Sequence, residues 1–305
     1  MTRIRQQLIF ILPVALLVAN VFAWQVVWRE TPRGILTVAF LDIGQGDAIY
    51  IEAPNGNQVL VDGGGGRQIL RALGEVMPFY DHSLDVVIAT HPDADHIGGL
   101  SFVLDRFAVG AVLEPGVESD TNVYQEFKRR VDDGLPRVAG GPPCLQPCEA
   151  GKAGARLHTL ARRGLRLRLD REVTLDILFP DQDPTTWETN TASIVARLVY
   201  GDTAFLLTGD SPIKIEKYLL ARDGKNLQAD VLKAGHHGSR TSTAPEYAAA
   251  VKPQYAVISA GKNNRYGHPH REVLDTLTKL GATILRTDEA GTIIMQTDGK
   301  ELRVK

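Results

Sequence analysis

The segment Thr90-His91-Pro92-Asp93-Ala94-Asp95-His96-Ile97-Gly98-Gly99 constrains this chain more than any other. It closes Leu84–Thr90, an apolar run of the kind found in strands buried on both faces. Four groups able to ligate a metal, His91, Asp93, Asp95 and His96, then fall at one strand end, just before a helix expected over Ile97–Leu104. Imidazole and carboxylate suit divalent ions. Crowding them together without a cation is costly. A polar helix cap made by Asp93 or Asp95 leaves both histidines unexplained.

Two later strand ends offer further ligands. Leu206-Leu207-Thr208-Gly209-Asp210 sets a carboxylate just past an apolar strand, where an ordinary turn aspartate is the competing reading. Lys233-Ala234-Gly235-His236-His237-Gly238-Ser239 follows Ala229–Leu232, and adjacent histidines between glycines are rarely a packing device. Strands are expected over Ile35–Asp42, Asp47–Ala53, Gln58–Val61, Ala111–Leu113, Ile194–Tyr200, Thr203–Thr208, Val231–Lys233, Tyr255–Ser259, Thr283–Arg286 and Thr292–Gln296. Helices are expected over Gln68–Met77, Tyr124–Asp133, Ile213–Ala221 and His270–Leu280. Two halves, each with hairpins feeding a helix, predict a layered α/β domain with two packed sheets and helices outside. Asp62 and Asp210 then stand at comparable strand ends.

Composition narrows the class. With 34 Lys and Arg against 36 Asp and Glu, the formal charge of −2 argues against a protein that coats nucleic acid by bulk charge. Apolar residues at 44% and charged residues at 23% exclude a disordered chain, a coiled coil and a multi-span membrane protein. Two cysteines exclude a disulfide scaffold and a four-cysteine zinc site, and leave open a small bridge between Cys144 and Cys148.

The N-terminal stretch is different. Gln6–Trp28 carries no charge, and as a helix it would span about 34 Å, enough for a bilayer core. Arg3 and Arg5 precede it, which favours a cytoplasmic N-terminus and an exported remainder. A cleaved signal peptide is the competing reading, with Leu8–Val18 as its apolar centre and Val21-Phe22-Ala23 as its cleavage site. The expected organisation is therefore an anchor or signal with its linker over 1–34 and one domain over 35–305.

The motif set HxDxDH, TGD and KAGHHGS resembles the metallo-β-lactamase-fold hydrolases. FLDIGQGDAIYI, VLVDGGG, THPDADHIGG, NTAS, LLTGD, HHGS, NNRYGHPH and RTDEAG resemble more closely the extracytoplasmic hydrolase-like domain of ComEC-type DNA-uptake proteins, from about Leu36 to Met295. That resemblance implies an αββα four-layer sandwich with a dinuclear site at the sheet edges. It places His91 and Asp93 on a first metal, Asp95, His96 and His237 on a second, and Asp210 between them. Asp93 stands where the commonest superfamily motif has a histidine, and Asn190 occupies the region where another first-site ligand is expected. An oxygen-rich first site shifts preference from zinc toward manganese or magnesium. Asp47 and Asp62 are expected behind the ligands, holding their loops.

The implied chemistry is attack on phosphorus by a hydroxide held between two divalent ions, zinc or manganese with magnesium a third candidate. Asp95, His236 and His268 make the expected catalytic group, and Asn190, Lys233, Ser239 and Asn264 the expected substrate contacts, although Lys233 also reads as a solvated strand end. Arg162, Arg163, Arg166 and Arg168 form a basic stretch that would hold a DNA backbone or protect an edge strand. The first expectation is a membrane-tethered phosphodiesterase acting on single-stranded DNA beside a separate channel partner. The alternatives are a hydrolase of a small or cell-wall phosphoester or thioester, and a non-catalytic DNA-binding module.

Overall fold

The computed structural model describes residues 34–134 and 157–305, with helical residues 13–18, 20–22 and 24 ahead of them. Most of the charge-free N-terminal run, including Ala23 of the expected signal cleavage site, and both cysteines lie outside the described residues. Among the described residues no helix is long and apolar enough to cross a membrane.

Strands β1 (Leu36–Phe40), β2 (Ile49–Glu52) and β3 (Gln58–Val61) form a meander. Helix α1 (Gln68–Val76) leads to β4 (Ser83–Ile88), helices α2 (Ala94–Ile97) and α3 (Leu100–Arg106) to β5 (Ala108–Glu114), and α4 (Asn122–Gly134) precedes β6 (Leu157–Leu160). A second meander follows: β7 (Arg166–Arg168), β8 (Val173–Phe179), β9 (Val195–Tyr200) and β10 (Thr203–Leu207). Helix α5 (Ile213–Asp223), β11 (Val231–Lys233), α6 (Pro245–Val251), β12 (Tyr255–Ile258), α7 (Arg271–Lys279), β13 (Thr283–Arg286) and α8 (Thr287–Ala290) complete that half. The chain returns to the first sheet as β14 (Ile293–Thr297) and β15 (Leu302–Val304).

The first sheet has eight strands in the order β15-β14-β1-β2-β3-β4-β5-β6, and the second has seven in the order β13-β12-β11-β10-β9-β8-β7. Three cores account for the layers. Val86, Ile88, Phe205 and Leu207 point between the sheets. Leu84 and Val87 point outward to the helices of the first sheet, with Ile69, Leu100 and Phe127. Ala204 and Leu206 point outward to those of the second, with Leu219, Tyr247 and Leu277. Both faces of β4 and β10 are thus covered, which is why their sequences read as unbroken apolar runs. The four-layer sandwich expected from the sequence is the architecture observed.

This topology aims the chemistry. β3, β4, β5 and β6 are parallel, as are β10, β11, β12 and β13. Parallel strands carry their C-terminal ends to one edge, and ligand-binding loops gather there. Asp62, Thr90-His91, Asp210, His236-His237 and Ser259 all follow such ends. Asp62 and Asp210 are equivalent by position, each past a strand that pairs antiparallel with one neighbour and parallel with the next.

The helix expected as one piece over Ile97–Leu104 is split into α2 and α3 at Gly98-Gly99. The cause is a close backbone crossing. Gly99 donates its N–H to the Gly64 carbonyl (2.7 Å), and a Cβ on Gly99 would lie 1.9 Å from the Gly63 carbonyl oxygen. Gly46 meets Asp95 in the same way, with a Cβ falling 2.0 Å from the Asp95 carbonyl oxygen.

Candidate metal centre

Asp210 is the focus of the site. Its Oδ2 faces four imidazole Nε2 atoms: His96 at 3.3 Å, His237 at 3.4 Å, His236 at 3.6 Å and His91 at 4.0 Å. The side chains of His91, His96, Asp210 and His237 are all essentially buried. Nε2 of His91, His96 and His237 and Oδ1 of Asp210 have no hydrogen-bond partner. Buried polar atoms left unpaired are costly, so their convergence needs an occupant.

The other ring nitrogens are held from behind. His96 Nδ1 meets Asp62 Oδ2 at 2.8 Å, His237 Nδ1 meets the Ser259 carbonyl at 3.0 Å, and His91 Nδ1 meets Thr90 Oγ1 at 3.0 Å. Asp62 is itself fixed by the N–H and hydroxyl of Thr90, at 2.8 and 2.7 Å. Nδ1 anchored and Nε2 presented is the arrangement that orients histidine toward a metal. Backbone strain serves the same end: Asp62, His236 and His237 adopt left-handed φ values of 59°, 50° and 55°, each costing about 1–3 kcal/mol in a non-glycine residue. The Ser193 hydroxyl accepts the Asp210 N–H at 3.3 Å.

Two lobes flank Asp210. On one side, His91 Nε2 lies 3.7 Å from Asp93 Oδ2. On the other, His237 Nε2 lies 3.4 Å from Asp95 Oδ2, and the His96 and His237 rings are 5.2 Å apart. Ligand atoms of Asp47, His96, Asp210 and His237 also lie within 4.8 Å of one another. Asp47 meets His96 and His237 on their Nδ1 sides, at 3.8 and 3.5 Å, and ion-pairs with Lys233.

Charge makes the same point. Asp47, Asp62, Asp93, Asp95 and Asp210 crowd the site and Lys233 is the one buried basic side chain among them. With neutral imidazoles this leaves four negative charges, the charge of two divalent cations. Without cations, protons compensate. Burial pushes His96 and His237 down, but Asp210 with Asp62 and Asp47 overrides it and holds both well above the ordinary imidazole range. Burial together with neighbouring His96 holds His91 well below that range. Burial alone would raise Asp95, yet His237 and His96 bring it down to about 2. The donor set is therefore built for cations rather than for apolar packing.

The remaining expected residues are placed as follows. Asn190 lies in a 3-10 turn, its Oδ1 buried without a partner. His236 is part-exposed, with Nδ1 3.2 Å from Thr241 Oγ1. His268 packs against His236 at 5.6 Å and His237 at 6.3 Å, and burial beside these rings lowers its pKa to about 4. Three expected substrate contacts are engaged elsewhere. Lys233 is fully buried, neither solvated nor open to a ligand, with its ammonium on Asp47 and the Gly209 carbonyl (3.1 Å). The Asn264 amide donates to the Gly261 and His268 carbonyls at 2.9 and 2.6 Å, and its oxygen accepts the His268 N–H at 2.9 Å, so it clamps the His268 loop. Ser239 Oγ is buried against Thr241 Oγ1 at 3.0 Å. The basic stretch is also largely neutralised: Arg163 pairs with Asp223, Arg166 with Asp176, and Arg162 with Asp183 at 3.6 Å. The supporting roles of Thr90 and of the Ser259 carbonyl were not anticipated; Thr90 opens the motif but is not a ligand type, and a backbone carbonyl leaves no signal in a sequence.

The Metallo-beta-lactamase superfamily profile matches residues 41–262. The chain belongs to the metallo-β-lactamase superfamily. Within it, the chain is 33% identical over 274 residues to "ComE operon protein 3" of Bacillus subtilis (strain 168), covering 84% of this chain and 32% of that protein. It is 30% identical over 269 residues to "Competence protein ComA" of Neisseria gonorrhoeae, covering 87% and 33%. The chain thus spans about a third of the length of these relatives. Among solved structures, Igni18, a metallo hydrolase from Ignicoccus hospitalis, superposes with a TM-score of 0.50 at 14% identity, covering 85% of this chain and 98% of that one. A variant of the β-hydroxylase CmlA superposes with a TM-score of 0.51 at 14% identity, covering 86% and 54%. These likenesses establish the fold. The chain is a metallo-β-lactamase-superfamily hydrolase related to competence proteins, with a buried cluster suited to divalent metal.

Proposed function

We propose that this chain is a phosphodiesterase that holds two divalent ions about Asp210 and cleaves nucleic acid outside the cytoplasmic membrane. The observation that carries this reading is the convergence of four imidazole Nε2 atoms on one buried carboxylate oxygen. His91 and Asp93 would hold one ion and Asp95, His96 and His237 the other, with Asp210 shared. When bound, such ions activate water near neutral pH and neutralise charge on a phosphoryl group.

The chain's own residues do the rest. Asp62, Thr90 and the Ser259 carbonyl fix the imidazole rings. His236 and His268 border the ligands and are candidates to orient the phosphate or its leaving oxygen. With a pKa near 4, His268 is neutral at pH 7 and acts there as a hydrogen-bonding group rather than as a cation. Asn264 holds its loop. The nucleic-acid assignment draws on the competence relatives. The extracytoplasmic location draws on Arg3, Arg5 and the charge-free run that follows.

The test is hydrolysis of linear single-stranded DNA and of thymidine 5′-p-nitrophenyl phosphate by the full chain with manganese, zinc or magnesium. Cleavage abolished by Asp95→Ala and by His237→Ala is expected. Cleavage of neither substrate with any of the three metals refutes the enzyme reading, and activity surviving both substitutions refutes the site.

A further inference from the structure

Beside the metal centre lies a cavity of about 380 Å³ that no step above uses. Its walls are aromatic. Phe179 stacks on Trp187 with centroids 5.7 Å apart and planes at 26°, and Tyr218 meets Phe179 edge-on at 6.1 Å. Exposed Gln182 and exposed Lys214 stand on its rim, with Thr191. The two acids of the lining are engaged: Asp181 by the Tyr218 hydroxyl and Arg222 (2.8 Å), Glu188 by the N–H groups of Asn190 (3.2 Å) and Thr191 (2.9 Å).

The cavity shares its elements with the metal centre. Thr191 belongs to the same 3-10 turn as Asn190, and the neighbouring Thr189 hydroxyl bonds the Asp93 carboxylate. Lys214 and Ile215 open α5, one turn past Asp210. The cavity and the metal centre are thus joined through the 189–192 turn and the start of α5.

We infer that this cavity is a subsite for one nucleobase of the substrate strand, stacked against the Phe179–Trp187 wall beside the scissile phosphate. The inference rests on the phosphodiesterase reading and names its substrate class. Flat aromatic walls suit a planar ring, and stacking a base on an aromatic side chain needs no particular base. Gln182 offers a donor and an acceptor to a base edge. Lys214 faces the adjoining backbone phosphate. A hydrocarbon chain finds a poorer fit, since Ile215 is the one aliphatic side chain of the lining.

The chain has three tryptophans, Trp24, Trp28 and Trp187. In a full chain carrying Trp24→Phe and Trp28→Phe, Trp187 is the single indole fluorophore. With EDTA present, thymidine 5′-monophosphate and a short oligothymidylate are expected to quench it saturably, and ribose 5-phosphate is not. Absence of quenching by the nucleotides, or equal quenching by ribose 5-phosphate, overturns the subsite. With metal, the ratio of kcat/KM for thymidine 5′-p-nitrophenyl phosphate over methyl p-nitrophenyl phosphate is expected to fall about tenfold or more in Trp187→Ala, and in the same direction in the surface variant Gln182→Ala. An unchanged ratio in both overturns it as well. The fluorescence arm needs no catalysis: quenching in a chain that hydrolyses nothing supports the base subsite while refuting the phosphodiesterase reading.

Discussion

At the scale of single residues, the site depends on groups that stand behind the candidate metal ligands. Asp62 is buried, accepts two hydrogen bonds from Thr90 and aims His96. Asp62→Asn keeps its shape but loses an acceptor and a charge. Metal affinity is expected to drop about 10- to 100-fold, as for other partners behind a metal ligand, measured by competition with a chelating dye. Lys233 makes a second case. Lys233→Met leaves Asp47 charged and buried without its partner, at a cost of about 3–5 kcal/mol in denaturant unfolding, and the added change Asp47→Leu is expected to restore most of it. Recovery absent from the double variant would show that Lys233 does more than balance Asp47.

Residue type and spacing single out His91, Asp93, Asp95, His96, Asp210 and His237 as candidates in the sequence, because each is a ligand-type side chain near the end of a recognisable strand. Lys233 was misread for a physical reason. A lysine at a strand end is usually solvated, and only the fold reveals that Asp47, nearly two hundred positions earlier, waits beneath it. Asn264 was misread similarly, since a polar loop residue gives no sign of whether its amide faces substrate or its own loop.

At the scale of elements, glycine separates tolerance from constraint. Gly99 cannot accept a Cβ without moving the Gly63 carbonyl, so Gly99→Ala is expected to lose about 1–3 kcal/mol and to displace His96 with α2. Gly74 lies within α1, and nothing stands within 4 Å of an added Cβ. Gly74→Ala is therefore expected to gain about 0.5–1 kcal/mol in the same unfolding experiment. Equal effects from the two substitutions would contradict the close-crossing account. Apolar runs revealed β4, β10 and β11. Strand β8 went unnoticed although Val173, Leu175, Ile177 and Phe179 alternate inward. Short β6 owes its existence to pairing with β5, distant in sequence, which no local pattern encodes, and short β15 pairs back on β14 across a tight turn. The Gly98-Gly99 break was visible as composition, but its cause is the Gly63–Gly66 turn packed against it.

At the scale of the whole molecule, two sheets deliver ligands from both halves of the chain to one edge, and stability and metal binding are linked there. Binding to the folded chain alone stabilises it by mass action. EDTA is therefore expected to lower the unfolding temperature of the wild type and to leave that of Asp210→Asn nearly unchanged. Glu216 gives an independent handle away from the ligands. Burial raises its pKa to about 7 although it accepts the Thr243 and Ala244 N–H groups. Its folded pKa exceeds the free value of 4.5, so the native state holds this proton more tightly. That contribution is complete below pH 4.5 and is lost as pH rises to 7, about 3 kcal/mol in all. Relative to Glu216→Gln, the wild type is expected to lose stability across that window, as read by urea unfolding at several pH values.

The central claim is that the buried cluster about Asp210 is a two-cation site. Its most direct test is the metal content of the full chain after equilibrium dialysis against manganese or zinc, measured by mass spectrometry of the elements. Two equivalents per chain are expected, falling sharply in Asp210→Ala with the fold retained by circular dichroism. One equivalent or fewer in the wild type, or a content that Asp210→Ala leaves unchanged, would contradict it.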